Sequence, residues 1–164
     1  YDPQDTRLIV LNQDCANFHQ RSGALVHITT GRADAPGHGG LADTRSEIEL
    51  FPEYTAGLAD VERCSHLIVL YWLDRADRTM LHATPPGQTV ARGVFSTRSP
   101  NRPNPVGFGV VDLVAVEGGT LRVRGLDALD GTPLIDIKPY SSEVDAIMDV
   151  TVGWMKNMKD RPDI

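Results

Sequence analysis

The sequence predicts an all-β domain, a barrel or a sandwich, with few helical segments. Three observations carry that expectation. Runs rich in β-branched and aromatic residues recur at short spacing, separated by Gly- and Pro-rich turns. Alternating strand–helix units, the mark of a doubly wound sheet, are missing from the pattern. The pair Gly118-Gly119 stands between VVDLVAVE and LRVRGL, a strong two-residue hairpin signal. A chain of 164 residues fits one domain with a sizeable core.

Taken in order, residues 1–23 are mixed and polar and read as an N-terminal extension. ALVHITT, residues 24–30, is the first strand. GRADAPGHGGLAD follows, and its glycines permit close backbone approach to a ligand. The cluster lacks the spacing of a dinucleotide fingerprint and the Lys-Ser/Thr of a phosphate loop. SEIELFP alternates, with Ile48 and Leu50 on one face of a half-buried strand. EYTAGLADVERCS reads as a short helix or turn. CSHLIVLYWL is a continuous apolar run of strand length, expected to be buried on both faces. Residues 77–89 contain Pro85-Pro86-Gly87 and read as irregular loop. After the hairpin, with Arg122 and Arg124 on a wet face, Asp130-Gly131 marks another turn. Asp136 and Lys138 share a face of the next strand, in the arrangement of an ion pair. The tail, residues 142–164, starts as a helix and carries Met148, Met155 and Met158 as packing residues.

Composition excludes several classes. Hydrophobic content of 41% and charged content of 23% are those of an ordinary soluble domain. No apolar run approaches the length of a membrane span, and YDPQDTRLIV has no basic region leading into an apolar core. The chain does not begin with Met. Two cysteines make no disulfide framework. Cys15 and His19 have no second pair to complete a metal site, so no metal is expected, and the thiols fit a reducing, cytoplasmic setting. A formal net charge of −6 argues against nonspecific coating of nucleic acid.

Against that acidic background, residues 92–107, RGVFSTRSPNRPNPVG, form a positive island with Arg92, Arg98 and Arg102 and no acid. Pro100, Pro103 and Pro105 fix φ and bias their predecessors toward extended backbone. The stretch is therefore expected to be neither helix nor central strand. A stiff basic loop held between strands suits the presentation of arginines to an anion or carboxylate.

RGVFSTRSPNRPNPVG and LDALDGTPLIDIKPY together resemble the signature segments of the TsaA/TrmO family. The likeness extends through SHLIVLYWLD and GLADVE back to ALVHITTGR, so residues 24–141 resemble the family's domain. The resemblance implies a small single-domain β-barrel, with residues 1–23 ahead of it and an extended C-terminal tail, 142–164, behind it. It implies an S-adenosylmethionine-dependent methyltransferase, acting on N6 of threonylcarbamoyladenosine next to the tRNA anticodon. It also implies a homodimer with the cofactor near the subunit interface. Two alternatives stay open: a methyltransferase for a small-molecule acceptor, and an S-adenosylmethionine-binding module without turnover.

Carried over by position, the resemblance implies cofactor contacts from four places. These are His38 and Gly39; Leu73 and Asp74; Arg98 with Phe108; and Leu129, Asp130, Gly131 and Thr132. Where tRNA-modifying members often read Pro-Arg-Gln, this chain reads Pro36-Gly37-His38, one basic residue fewer. Many of those members carry a second C-terminal domain, and this sequence ends before one. By side-chain chemistry, Arg98 suits the cofactor's carboxylate. Asp74 or Asp130 suits its ammonium or ribose hydroxyls, and backbone groups of residues 129–132 suit the adenine edge. Phe108 suits an apolar face. Asp74 and Asp130 are also the candidate bases, because an N6 nitrogen conjugated to a carbonyl is a poor nucleophile. Arg92, Arg102 and Lys138 are left for phosphate, or the arginines for a dimer partner.

Overall fold

Six antiparallel strands close into a barrel in the computed structural model, which describes residues 26–29 and 44–155. They are β1 (Val26–Thr29), β2 (Arg45–Leu50), β3 (His66–Trp72), β6 (Val106–Glu117), β7 (Thr120–Arg124) and β8 (Thr132–Pro139). The order around the barrel is β1-β2-β7-β6-β3-β8, and β8 returns to β1. A two-residue pair, β4 (His82–Ala83) and β5 (Arg92–Gly93), stands apart. The expected barrel is thus realised, and closure removes the exposed edges of an open sheet.

The interior follows the period of two expected of strands. Leu67, Val69 and Tyr71 of β3 point inward, with Ile48 from β2, Leu121 and Val123 from β7 and Leu134 from β8. On the outer face of β3, Ile68 and Trp72 are also buried, so this strand is covered on both sides as its unbroken apolar run predicts. β7 alternates cleanly, and its outward arginines pair across strands. Arg122 Nε lies 3.1 Å from Glu47 and its Nη1 3.1 Å from Glu117, while Arg124 meets Asp112. His66 Nε2 lies 3.1 Å from the same Asp112. These pairs are about half exposed and fix register more than they stabilise. Lys138 pairs with Asp136, as their shared face suggests.

Three sequence expectations are corrected. The segment expected to be irregular after β3 contributes β4, whose partner β5 opens the arginine-rich stretch. That stretch is not wholly loop. Val94–Ser96 form one 3-10 turn, and Val106 and Gly107 already belong to β6. The prolines act only from residue 100 onward, so residues 94–96 are free to turn. The tail does start with a helical turn, α1 (Ser142–Asp145), but Met148 is 80% and Met155 42% exposed, and Met158 lies outside the described residues. Residues 52–63 are two 3-10 turns, Pro52–Leu58 and Val61–Arg63, as the short-helix reading has it. Among the described residues no helix is long and apolar enough to cross a membrane.

Candidate functional site at one end of the barrel

Strand register gathers the signature segments at a single end. Trp72 pairs with Val106, Tyr71 with Leu134 and Ile28 with Thr132. β3 and β1 therefore end where β6 and β8 begin. The arginine-rich loop enters β6 there, and the Asp130-Gly131 turn enters β8. Leu73 and Asp74 leave β3 at the same place. Leu73 N–H donates to Pro105 O at 2.9 Å, tying the end of the buried strand to the last proline of the loop. His38 and Gly39 lie outside the described residues.

Tyr71 is the junction, and the sequence reading missed it. Its ring is buried in the barrel and its hydroxyl donates to Asp127 O at 2.7 Å, so it joins β3 to the segment leading into the 129–132 turn. On the other side it lies across β6. A Cβ built on Gly107 would come within 2.1 Å of the Tyr71 ring. Only glycine leaves the ring its place. The visible signal was Gly-Phe-Gly at 107–109, since two glycines on one face of a strand mark a close approach. Burial, reinforced by the Asp127 charge, pushes the Tyr71 hydroxyl up to about 12, and Arg98 pulls the other way. Arg98 and Asp127 are thus each within electrostatic reach of Tyr71.

That raised value has a stability consequence. A hydroxyl whose folded pKa exceeds its unfolded value of 10.0 contributes fully below pH 10. The contribution is lost as pH rises toward about 12, by about 1.4 kcal/mol per pH unit. Tyr71→Phe is expected to cost about 1 kcal/mol at pH 8 through the lost hydrogen bond. It should also flatten the decline between pH 10 and 12 relative to the parent. Urea unfolding at pH 8 and pH 11 measures both, and parallel alkaline losses in the two proteins would refute the assignment.

The loop itself is internally braced. Arg102 Nε donates to Ser99 O at 2.7 Å, and its Nη2 donates to Val94 O at 2.9 Å and to Thr97 O. Ser96 Oγ donates to Gly93 O and Thr97 Oγ1 to Val94 O. Arg78 Nε donates to Pro103 O at 3.0 Å, with its guanidinium 5.5 Å from the Trp72 ring centroid. Asp77 N–H donates to Asn101 Oδ1, while Thr79 donates to the Asp77 carboxylate and holds it below the usual range. Arg92 sits 4.9 Å from the Trp154 ring centroid, a cation–π contact that draws the chain end onto the loop. Arg102 therefore braces the loop, while Arg92 lies on the Trp154 ring with its buried Nε left without a hydrogen-bond partner among the described residues. Arg98 is exposed and has no ion-pair partner among the described residues.

The turn before β8 behaves as its sequence predicts. Thr132 N–H donates to Leu129 O at 3.2 Å and Gly131 has φ +77°, the left-handed region. Asp74 and Asp130 are both exposed at this end. Phe108 is not directed inward. Gly107 and Gly109 face Tyr71, so the residue between them faces outside, 48% exposed, beside Val106 and Val110. Register thus brings Leu73, Asp74 and the 129–132 turn to one end, with Arg98 in electrostatic reach, and sets Phe108 on the outer wall.

Can these residues hold a cofactor with a carboxylate, an ammonium and a nucleoside? The chemistry of the donor set fits. Arg98 offers an uncommitted cation, Asp74 and Asp130 offer anions, and the turn offers backbone groups. Asn104 Oδ1 is buried in the loop with no hydrogen-bond partner. An orphaned acceptor of that kind is costly unless a ligand or water satisfies it. Among the described residues, no group of three or more His, Cys, Asp or Glu is arranged to hold a metal ion.

Comparison with known proteins agrees with the geometry. The S-adenosyl-L-methionine-binding protein of Archaeoglobus fulgidus is 55% identical over 114 residues, 70% of this chain and 82% of that one. A longer protein of the same organism, described as a probable S-adenosyl-L-methionine-binding protein, is also 55% identical. The match covers 74% of this chain but only 33% of that protein. The chain thus spans about a third of that relative. The crystal structure of TrmO from Pseudomonas aeruginosa superposes with a TM-score of 0.65 at 33% identity, covering 80% of this chain and 60% of that chain. The family model described as the tRNA-methyltransferase O N-terminal domain matches residues 27–146, from β1 past the end of β8. The chain belongs to the tRNA-methyltransferase O N-terminal domain family.

Proposed function

We propose that this barrel binds S-adenosylmethionine at the Tyr71 end and transfers its methyl group to N6 of threonylcarbamoyladenosine beside the tRNA anticodon. The observation that carries the reading is the convergence of the β3 end, the arginine loop and the 129–132 turn around one buried tyrosine. When bound, the cofactor supplies a methyl group activated by its sulfonium. The chain's own part is binding, alignment and proton handling. Arg98 takes the cofactor's carboxylate in a charge-assisted pair. Asp74 takes the ammonium, with Asn104 Oδ1 as a second acceptor. Leu129, Asp130, Gly131 and Thr132 read the nucleoside, and His38 and Gly39 add further cofactor contacts. Asp74 or Asp130 receives the N6 proton.

Phe108 is assigned differently from the resemblance. With Val106, Val110 and Val114 it makes an exposed apolar row on the outer wall of β6. We assign that row to a homodimer contact, which brings a partner subunit to the wall beside the cofactor end. Sedimentation at micromolar concentration tests it, and a strict monomer removes it. The working location is the cytoplasm.

Arg98→Ala is expected to weaken cofactor binding about tenfold to a hundredfold, the loss of one charge-assisted contact. An unchanged dissociation constant by calorimetry takes Arg98 out of the site. The function itself is tested by incubating the protein with methyl-labelled cofactor and tRNA with or without the threonylcarbamoyl group. Label on the modified tRNA alone supports the reading. Tight cofactor binding with no label on either RNA favours a binding module, the activity for which the Archaeoglobus fulgidus relative is named.

A further inference from the structure

Phe95 has no role in the cofactor site, and its setting is unusual. It is 80% exposed, more than any other aromatic among the described residues. Scattered exposed apolar residues are ordinary, and flexible ones fold back onto the surface. This one is held out. Val94 beside it is buried at 1% and anchors the 3-10 turn from below. Val94 N–H donates to Leu81 O at 3.0 Å, which fixes the turn to the residue just before β4. The carbonyls of Val94, Thr97 and Ser99 are all gripped by Arg102. Ser96 and Thr97 bond back to Gly93 and Val94. The turn cannot bend to bury the ring without breaking these bonds.

The electrostatic setting is as distinctive. Residues 72–107 hold five arginines and two aspartates within a chain of net charge −6. On the barrel wall, Arg122, Arg124 and Lys138 are matched to carboxylates, while Arg45 of β2 is exposed. Arg98, three positions from Phe95, is exposed with no ion pair among the described residues, but the reading above commits it to the cofactor's carboxylate. Arg75, at the end of β3, is likewise exposed. An exposed aromatic carried on a braced, arginine-rich loop is a combination that holds an unpaired nucleobase and its phosphates. Leu81, whose carbonyl accepts from Val94 N–H, is 58% exposed, so an apolar residue adjoins the turn, and it is the excess of arginine that favours a nucleic acid over a protein partner here.

We propose that Phe95 is a stacking platform for an unpaired base of the acceptor RNA, outside the cofactor pocket. It would set which loop nucleotide is held beside the reactive end. The inference rests on the RNA-acceptor reading above and adds to it the residue that seats the RNA.

The test uses the full chain with saturating S-adenosylmethionine and an anticodon stem-loop RNA carrying 2-aminopurine at single loop positions. The parent should quench 2-aminopurine at one position on binding. Phe95→Ala should abolish that quenching and weaken RNA binding about tenfold or more. Phe95→Trp should restore both, because any large aromatic face serves. Cofactor affinity and melting temperature should be unchanged in both variants, given the exposure of the ring. Equal RNA affinity and equal quenching in Phe95→Ala would overturn the proposal while leaving the methyltransferase reading intact. A shift of Phe95→Ala toward monomer with unchanged RNA binding would also overturn it, marking a subunit contact. A parent that binds the cofactor but no RNA would sink both readings together.

Discussion

Gly107→Ala is expected to cost about 3 kcal/mol of stability, the upper end for overpacking a core. The added methyl would lie 2.1 Å from the Tyr71 ring. The ring cannot step aside cheaply, because it is buried among Leu67, Val69 and Leu134 and its hydroxyl is bonded to Asp127 O. Either β6 lifts away from β3 at the Tyr71–Gly107 pair, or the tyrosine leaves its hydrogen bond. Both outcomes displace the 129–132 turn from the arginine loop. We therefore expect cofactor affinity to fall along with the melting temperature. Gly109→Ala is the control. Its Cβ would meet Leu126 at 3.5 Å and Tyr71 at 3.9 Å, ordinary contacts, so its cost should be well below that of Gly107→Ala. Equal costs for the two substitutions would show that the ring does not hold the position inferred for it.

Arg102→Lys is expected to be nearly as damaging to binding as Arg102→Ala. The guanidinium reaches three carbonyls at once from a planar fork. An ammonium on a flexible stem is a single point and cannot reproduce that arrangement. Hydrogen bonds to charged groups contribute about 1.5–3 kcal/mol each, and carbonyls left unpaired add a desolvation cost. The loss should fall on the loop first, because within residues 94–104 only Val94 is fully buried. Hydrogen exchange should accelerate at residues 94–104 while β7 and β8 stay protected. Cofactor affinity should fall tenfold or more, as Arg98 loses its frame. If Arg102→Lys binds like the parent, the loop is held by its prolines alone and the brace is redundant.

These two substitutions divide what the chain states openly from what it conceals. Strand positions were readable because burial imposes a period of two: Ile48, Leu67, Val69, Leu121 and Val123 all face inward as alternation requires. The hairpin at Gly118-Gly119 and the turn at Asp130-Gly131 were readable because only a few residues satisfy such backbone geometry. The Asp136–Lys138 pair followed from the same alternation. The arginine loop was recognisable as special from its prolines and its charge, and so was its family. What each arginine does was not. Arg92, Arg98 and Arg102 are chemically identical in the sequence, and nothing there shows that Arg102 holds three carbonyls of the loop.

The sequence by itself determined the strand pattern, the turns, the positive island and the family, because these depend on local sterics and on residue order. Only the tertiary structure decided that β3 ends where β6 and β8 begin, since pairing across a closed barrel is set by register. It alone made Tyr71 the joint between the loop and the turn, because contacts 36 and 56 residues apart leave no local trace. It turned Phe108 outward, because glycines on both sides take the inner face. And it assigned the arginines, spending one on three carbonyls, stacking one on Trp154 and leaving Arg98 to solvent. That choice depends on which groups burial leaves without water, and burial is a property of the folded chain.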